Sequence, residues 1–418
     1  MNIENHNEPH GGSLVNLIVD DQRAAKLKEI VINLPDITLN DRQLCDLELL
    51  ATGAFSPLTG FMNRSDYESV IDRMRLQNDL LWPIPIYLDI NELQARKLEV
   101  GQSVALRDPE GFLLAIMHIE DIWQADRQKE AARVYGTSDR NHPGTDYLFT
   151  RGGRYYLGGT LEVMSTPLHF DFKQLRMTPA EIRATFKKLG WKRMTGFLTH
   201  NPIHRPHFEM TINAMQQARA NLLLLPITGM TRSGDFDHYT RVRCYRHVVR
   251  HYPPDSHILS MLPLAMRMSG PREALLHAII AKNYGCTHFI TGRDHAGPGP
   301  DDNGQPYYES DEASKLAKTH SQEIGLTVVP FTEMVYLPFE DEYRCADQVP
   351  EGTQVISLSG SDIRKRIRTG RRIPEWATFP EVVEELQKAY PPPRRQGIAV
   401  FLTGLSGSGK STIAKIIY

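Results

Sequence analysis

From Thr178 onward the apolar positions fall into two alternating rhythms. Ile182, Phe186 and Leu189 recur at i, i+4 and i+7. Ahead of them stand Thr178, Pro179 and Glu181, a capping box with proline at the first helical position, and Gly190 supplies the stop. Residues 194–199 read as a strand, and a second helix is predicted from Arg205, with Phe208, Ile212 and Met215 on one face. Strands follow at 222–228 and 258–264, a helix at 271–284, a strand at 287–291, a helix at 311–324 and a strand at 326–331. Alternation of this kind predicts a parallel sheet with helices on both faces.

The residues before this stretch read as a mixed, β-rich domain over 1–168, built from short strands and turns. Two strand-like runs between 103 and 123 meet at Asp108-Pro109-Glu110-Gly111, which is hairpin turn chemistry. A short helix is predicted at 64–75, introduced by Asn63 or Ser65. The alternating domain occupies 169–331, and a smaller unit with helices near 361–368 and 379–390 occupies 332–390. Pro391-Pro392-Pro393 opens a stiff linker over 391–397. A buried-type strand at 398–403 then runs into GLSGSGKS, the start of a further domain over 398–418.

Composition narrows the possibilities. The 418 residues suit two or three domains, and 48 basic against 50 acidic residues leave a net charge of −2. That balance argues against a general nucleic-acid or membrane-surface binder. Cys45, Cys244, Cys286 and Cys345 are far apart and form no CxxC pair, which excludes a disulfide framework and fits a reducing compartment. The polar N-terminus lacks the apolar stretch of a signal peptide, and no run approaches the 18 or so apolar residues of a membrane span. A cytoplasmic protein is expected.

Ligands of open parallel sheets sit beyond the carboxyl ends of the strands, so the chemistry is sought there. Three polar loops follow predicted strands: 198–207, 265–272 and 292–299. The first two lead into helices whose N-terminal amides suit phosphate oxygens. His204 and His207 lie three apart at a helix start and share a face, with phosphate binding by one or both as imidazolium as the functional reading. A pair of helix-capping histidines is the plainer alternative. A zinc pair has the wrong spacing and no intervening Glu, so no protein metal site is expected. Arg267 and Arg293, beside glycines at strand ends, favour anion contact over surface ion pairs. The basic cluster Arg364-Lys365-Arg366-Arg368-Arg371-Arg372 invites a nucleic-acid reading, but without interleaved aromatics it reads rather as a solvated helix face or a contact between subunits. GLSGSGKS matches the phosphate-cradling loop: Gly404 and Gly409 shape it, Lys410 reaches β- and γ-phosphates, and Ser411 reaches magnesium.

Several segments, in order, resemble the ATP sulfurylase (sulfate adenylyltransferase) family. They are TGAFSPLTGFM at 52–62, HxxH at 204–207, MRMSGPREA at 266–274, GCTHFITGRDHAGPG at 285–299 and ISLSGSDIRKRIRTGRRIPEW at 356–376. The linker and GLSGSGKST resemble the start of the adenylylsulfate kinase domain of bifunctional members, a domain whose remaining parts would lie after Tyr418. The resemblance implies an α/β fold with a PUA-like N-terminal domain and a HUP/Rossmann-like nucleotidyltransferase domain. It implies conversion of ATP and sulfate to adenosine 5′-phosphosulfate and pyrophosphate, Mg2+ accompanying ATP, a homo-oligomer, and neither nucleic acid nor membrane as partner. On matching positions His204 and His207 would hold the ATP phosphates, and Thr199 and Asn201 would settle the α-phosphate. Arg267, Ser269 and Gly270 would surround sulfate and pyrophosphate. Gly292, Arg293, Asp294, His295, Ala296 and Gly297 would line the nucleotide pocket, and Val328 and Val329 would flank adenine.

One departure stands out. The family reads Gln-x-Arg-Asn-Pro where this chain has Leu198-Thr199-His200-Asn201-Pro202. His200 lacks the permanent charge and planar fork of Arg. A hydrogen bond to a charged group contributes roughly 1.5–3 kcal/mol, so its loss costs about ten- to a hundredfold. Two readings follow: a working sulfurylase in which Arg267 and a protonated His200 hold sulfate, or a sulfurylase-like scaffold for the kinase.

Overall fold

The computed structural model describes residues 8–417 except 233, 293, 331, 332, 393–396 and 398. The N-terminal sheet contains β1 (Asp36–Thr38), β2 (Gly60–Phe61), β3 (Leu88–Ile90), β4 (Ser103–Arg107), β5 (Leu113–Gln124) and β6 (Tyr155–Val163). Its order is β1-β4-β5-β6-β2, with β3 also on β6. The predicted hairpin is β4–β5, its turn closed by Asp108, whose carboxylate accepts the Phe112 amide at 2.7 Å. The predicted short helix is Arg64–Arg73, capped by the Asn63 side chain.

The second sheet is wholly parallel. It comprises β7 (Met194–Thr199), β8 (Asn221–Pro226), β9 (His257–Leu259), β10 (His288–Thr291) and β11 (Thr327–Pro330), in the order β11-β10-β7-β8-β9. This is the doubly wound order, in which the strand order reverses between β7 and β10. Leucine alternation on β8 shows how both faces are buried. Leu223 and Leu225 enter the core formed with the Pro271–Asn283 helix and the N-terminal domain. Leu222 and Leu224 point the other way, into a core with the Arg205–Ala218 helix and the C-terminal unit. Two domains and a small unit are therefore locked around one sheet.

The Thr178 capping box forms as expected, and Gly190 ends that helix in the left-handed region at φ 69°. Four readings are corrected. A helix, His238–Val248, lies between β8 and β9, where the sequence suggested none. Its basic residues obscure a buried set of Val242, Cys244, Tyr245 and Val248. The predicted helix at 311–324 is two helices, Glu312–Thr319 and Ser321–Ile324, broken at His320. The small unit adds an antiparallel hairpin, β12 (Met334–Leu337) and β13 (Glu342–Cys345), to the expected helices Gly360–Thr369 and Pro380–Ala389. Finally, no strand forms over 399–403: no neighbouring strand pairs with it among the described residues, so there is no ladder.

Candidate active site

Where the strand order reverses, the ends of β7 and β10 open into a cavity of about 380 Å³. On one side stand Leu198, Thr199, His200, Asn201, His204 and His207, and across from them Gly292, Asp294, His295 and Ala296. The predicted HxxH loop and nucleotide loop thus converge. The unanticipated His238–Val248 helix holds the first loop: Arg241 donates to the carbonyls of His200 (2.8 Å) and Ile227 (2.7 Å), and the Tyr245 hydroxyl donates to the Asn201 carbonyl (2.6 Å). The C-terminal unit closes the cavity with Met334, Leu358, Ser359, Gly360 and Ile363, none of which sequence reasoning assigned to the site. Ser359 caps a helix there, and His204 begins another, so two positive helix ends border the cavity.

Burial governs the charge of the imidazoles. His200 is pushed down to about 4, His204 to about 3 and His207 to about 4, chiefly because each is desolvated. The expected imidazolium at these positions is therefore corrected: in the free protein all three rings are neutral at pH 7. They remain donors. The His204 amide points at Nδ1 of His207 (3.4 Å), which leaves the His207 ring proton on Nε2. His204 is oriented by Thr378, whose hydroxyl lies 2.9 Å from Nδ1. His200 Nε2 lies 3.8 Å from Asp235.

A second set of buried groups supports the opposite wall. The Gly292 amide faces Nδ1 of His295 (3.4 Å), and His295 Nε2 lies 2.8 Å from Nδ1 of His277. These contacts assign His295 as donor to His277, whose remaining proton then faces Glu273 at 3.8 Å. Burial pushes His295 down to about 4 and Glu273 up to about 7. Glu273 accepts the amides of Arg267 (2.8 Å) and Ser269 (3.0 Å), so one carboxylate shapes the 266–270 loop. That loop joins the nucleotide loop through the Gly270 amide and the Ala296 carbonyl, 3.1 Å apart. Gly270 sits at φ 50°, and a Cβ there would meet the Tyr308 ring at 2.4 Å. His277 and Glu273 escaped notice because they look like ordinary members of an apolar helix.

Other expected residues are placed elsewhere. The Arg267 guanidinium does not line the cavity. It is 2% exposed and bound to both carboxylate oxygens of Asp46 at 2.6 Å, so its expected contact with sulfate is replaced by a buried ion pair. Ser269 is buried, with its amide on Glu273. Gly270 and Gly297 line an adjoining hollow of about 200 Å³. Val328 and Val329 pack on opposite faces of the sheet edge and do not line the cavity, so no adenine-flanking role is seen for them. Arg293 lies outside the described residues. Gly404, Gly409 and Ser411 are exposed, and Lys410 donates to the Gly404 (2.8 Å) and Leu405 (2.6 Å) carbonyls of its own loop, at the start of the Lys410–Ile417 helix. Among the described residues, no three His, Cys, Asp or Glu side chains converge as metal ligands, and no helix is long and apolar enough to cross a membrane.

A doubly wound sheet with donors gathered at its reversal point, behind a β-rich N-terminal domain, defines an α/β nucleotide-binding protein. The profile of the PUA-like domain matches residues 7–166 and that of ATP-sulfurylase residues 173–389. The chain belongs to the ATP-sulfurylase family. It is 47% identical to the sulfate adenylyltransferase of Mycosarcoma maydis over 98% of this chain and 72% of that protein. With the sulfate adenylyltransferase of Schizosaccharomyces pombe the identity is 48%, over 91% and 78%. Among solved structures it resembles a hexameric APS kinase from Thiobacillus denitrificans, with a TM-score of 0.79, 34% identity and coverage of 98% of this chain and 74% of that one.

Proposed function

We propose that the 380 Å³ cavity transfers the adenylyl group of ATP to sulfate, giving adenosine 5′-phosphosulfate and pyrophosphate. The carrying observation is the convergence of the 199–207 loop with Gly292–Ala296 at the reversal between β7 and β10. A sulfate oxygen attacks the α-phosphorus, a new P–O bond forms, and the bond to the bridging oxygen of pyrophosphate breaks. No covalent enzyme intermediate is required. His207 donates from Nε2 and His204 from the ring that Thr378 orients, with Asn201 and Thr199 placed beside the α-phosphate. Catalysis is positioning plus charge neutralisation by helix ends and fixed donors. Magnesium enters with ATP as part of the substrate.

The same reading makes the protein a cytoplasmic homo-oligomer without nucleic-acid or membrane partners. It makes Gly404 to Ser411 the phosphate loop of an adenylylsulfate kinase domain, with kinase activity in a chain that carries the rest of that domain. Leu198, 2% exposed, and the neutral His200 favour a second reading, a sulfurylase-like scaffold for that kinase. The test is ATP formation from adenosine 5′-phosphosulfate and pyrophosphate, in the parent chain and in Leu198→Gln/His200→Arg. Activity in the parent is the expected result. An inert parent that gains activity in the double variant overturns it and leaves the scaffold.

A further inference from the structure

Beside the catalytic cavity, and sharing Met266 with it, lies a second hollow of about 620 Å³. Its walls come from the N-terminal domain, the loop after β8 and the Gly360–Thr369 helix. We propose that this hollow is a binding chamber for the inorganic oxyanion of the reaction, sulfate or pyrophosphate, held by Arg140, Arg232 and Arg364. The inference rests on the adenylyl-transfer reading for the identity of its ligand.

The charge balance supports it. Counting Asp46 behind Arg267, the chamber has three more guanidiniums than carboxylates. Arg42 is spoken for by the rings of Tyr147 and Tyr87, Arg151 lies 3.9 Å from Asp146, and Arg267 is held by Asp46. Arg364 is half-buried, yet no carboxylate lies within ion-pair distance of it among the described residues. Arg140 is exposed, with the Phe149 ring at 5.8 Å and no ion pair among the described residues. Arg232 shares Asp235 with His200, and one Asp235 oxygen has no hydrogen-bond donor among the described residues. Three arginines from three parts of the chain therefore face one hollow with charge to spare.

The neighbouring cavity shows what that charge is for. No Lys or Arg lines it among the described residues, and its imidazoles are neutral. The reaction nevertheless handles inorganic anions that carry two or more charges. Guanidiniums stay charged where imidazoles do not, and their planar forks match tetrahedral oxyanions. Opposite charges attract more strongly near a protein surface than in bulk water, so arginines without carboxylate partners in this hollow favour such an anion. The chamber supplies the permanent charge that Leu198 and His200 do not.

The test is calorimetric titration of the full chain with inorganic sulfate and, separately, inorganic pyrophosphate, in the parent and in Arg140→Ala, Arg364→Ala and Arg364→Lys. At least one oxyanion should bind the parent, and either alanine change should weaken it tenfold or more, with Arg364→Lys recovering part. The anion whose Kd moves identifies the occupant. Arg140 is exposed and has no ion pair among the described residues, so its loss leaves the fold intact and keeps the test decisive if the Arg364 variants misfold. A parent that binds neither anion, or variants with unchanged Kd, overturns the chamber. If the parent also forms ATP in the reverse assay, only the chamber is lost. If the parent is inert while the variants lose binding, the chamber stands and the adenylyl-transfer reading falls.

Discussion

The two hollows that meet at Met266 treat charge in opposite ways. The candidate cavity carries five histidines, all driven neutral by burial, beside the carboxylates of Asp294 and Glu333, and among the described residues no Lys or Arg lines it. The chamber beside it carries arginines, whose protons burial cannot remove, so each is paired, stacked on a ring or left partly in water. Burial thus leaves one half of this pair with neutral imidazoles and the other with guanidiniums that keep their charge. Arg267 and Arg364 show the same rule within one chamber. The deep one is held by a carboxylate, and the half-buried one has none within ion-pair distance among the described residues.

The largest expected effect breaks the paired side of that contrast. Asp46→Ala leaves the Arg267 charge buried and unpaired, which should cost about 3–5 kcal/mol of stability in denaturant unfolding. A loss under about 1 kcal/mol would show that Arg267 is solvated and available to substrate. Next, His207→Ala removes a neutral donor from the catalytic half and should lower the reverse-reaction rate about a hundred- to a thousandfold, with melting temperature little changed. A rate within a few-fold of the parent would remove His207 from the machinery.

Acid should erase the contrast. The histidines have folded-state values below 6.5, so the unfolded chain binds more protons, and stability present above about pH 6.5 is lost as pH falls toward 4. Glu273, raised to about 7, works the other way: its contribution is complete below pH 4.5 and lost as pH rises through 7. Four such histidines outweigh one glutamate, at about 1.4 kcal/mol per pH unit for each net proton. Unfolding free energy should therefore fall steeply between pH 6.5 and 5, and a flat profile there would contradict buried, neutral rings. The smallest effect sets the scale away from both hollows. Thr178→Ala removes a helix cap and should cost about 1 kcal/mol while leaving sulfate and pyrophosphate binding untouched.

Much was legible in the chain itself because local rules decided it. The Thr178 box, the β4–β5 turn at Asp108 and the span of β7 follow from caps, turns and hydrophobic period, which act within a few residues. The loops after β7 and β10 could be placed at one rim because strand alternation implies a parallel sheet, and such sheets gather loops at one edge. Charge and partnership were decided only in three dimensions. Nothing near Arg267 in sequence announces Asp46, 221 residues away, and nothing near His204 announces Thr378. Arg364 read as part of a solvated basic face until the small unit turned it toward the chamber. Val328 and Val329 sat at a strand end but pack into the cores. The sequence by itself determined which elements form and which loops meet. The tertiary structure alone decided which of their side chains keep a charge, since desolvation and ion pairing depend on groups brought together from across the chain.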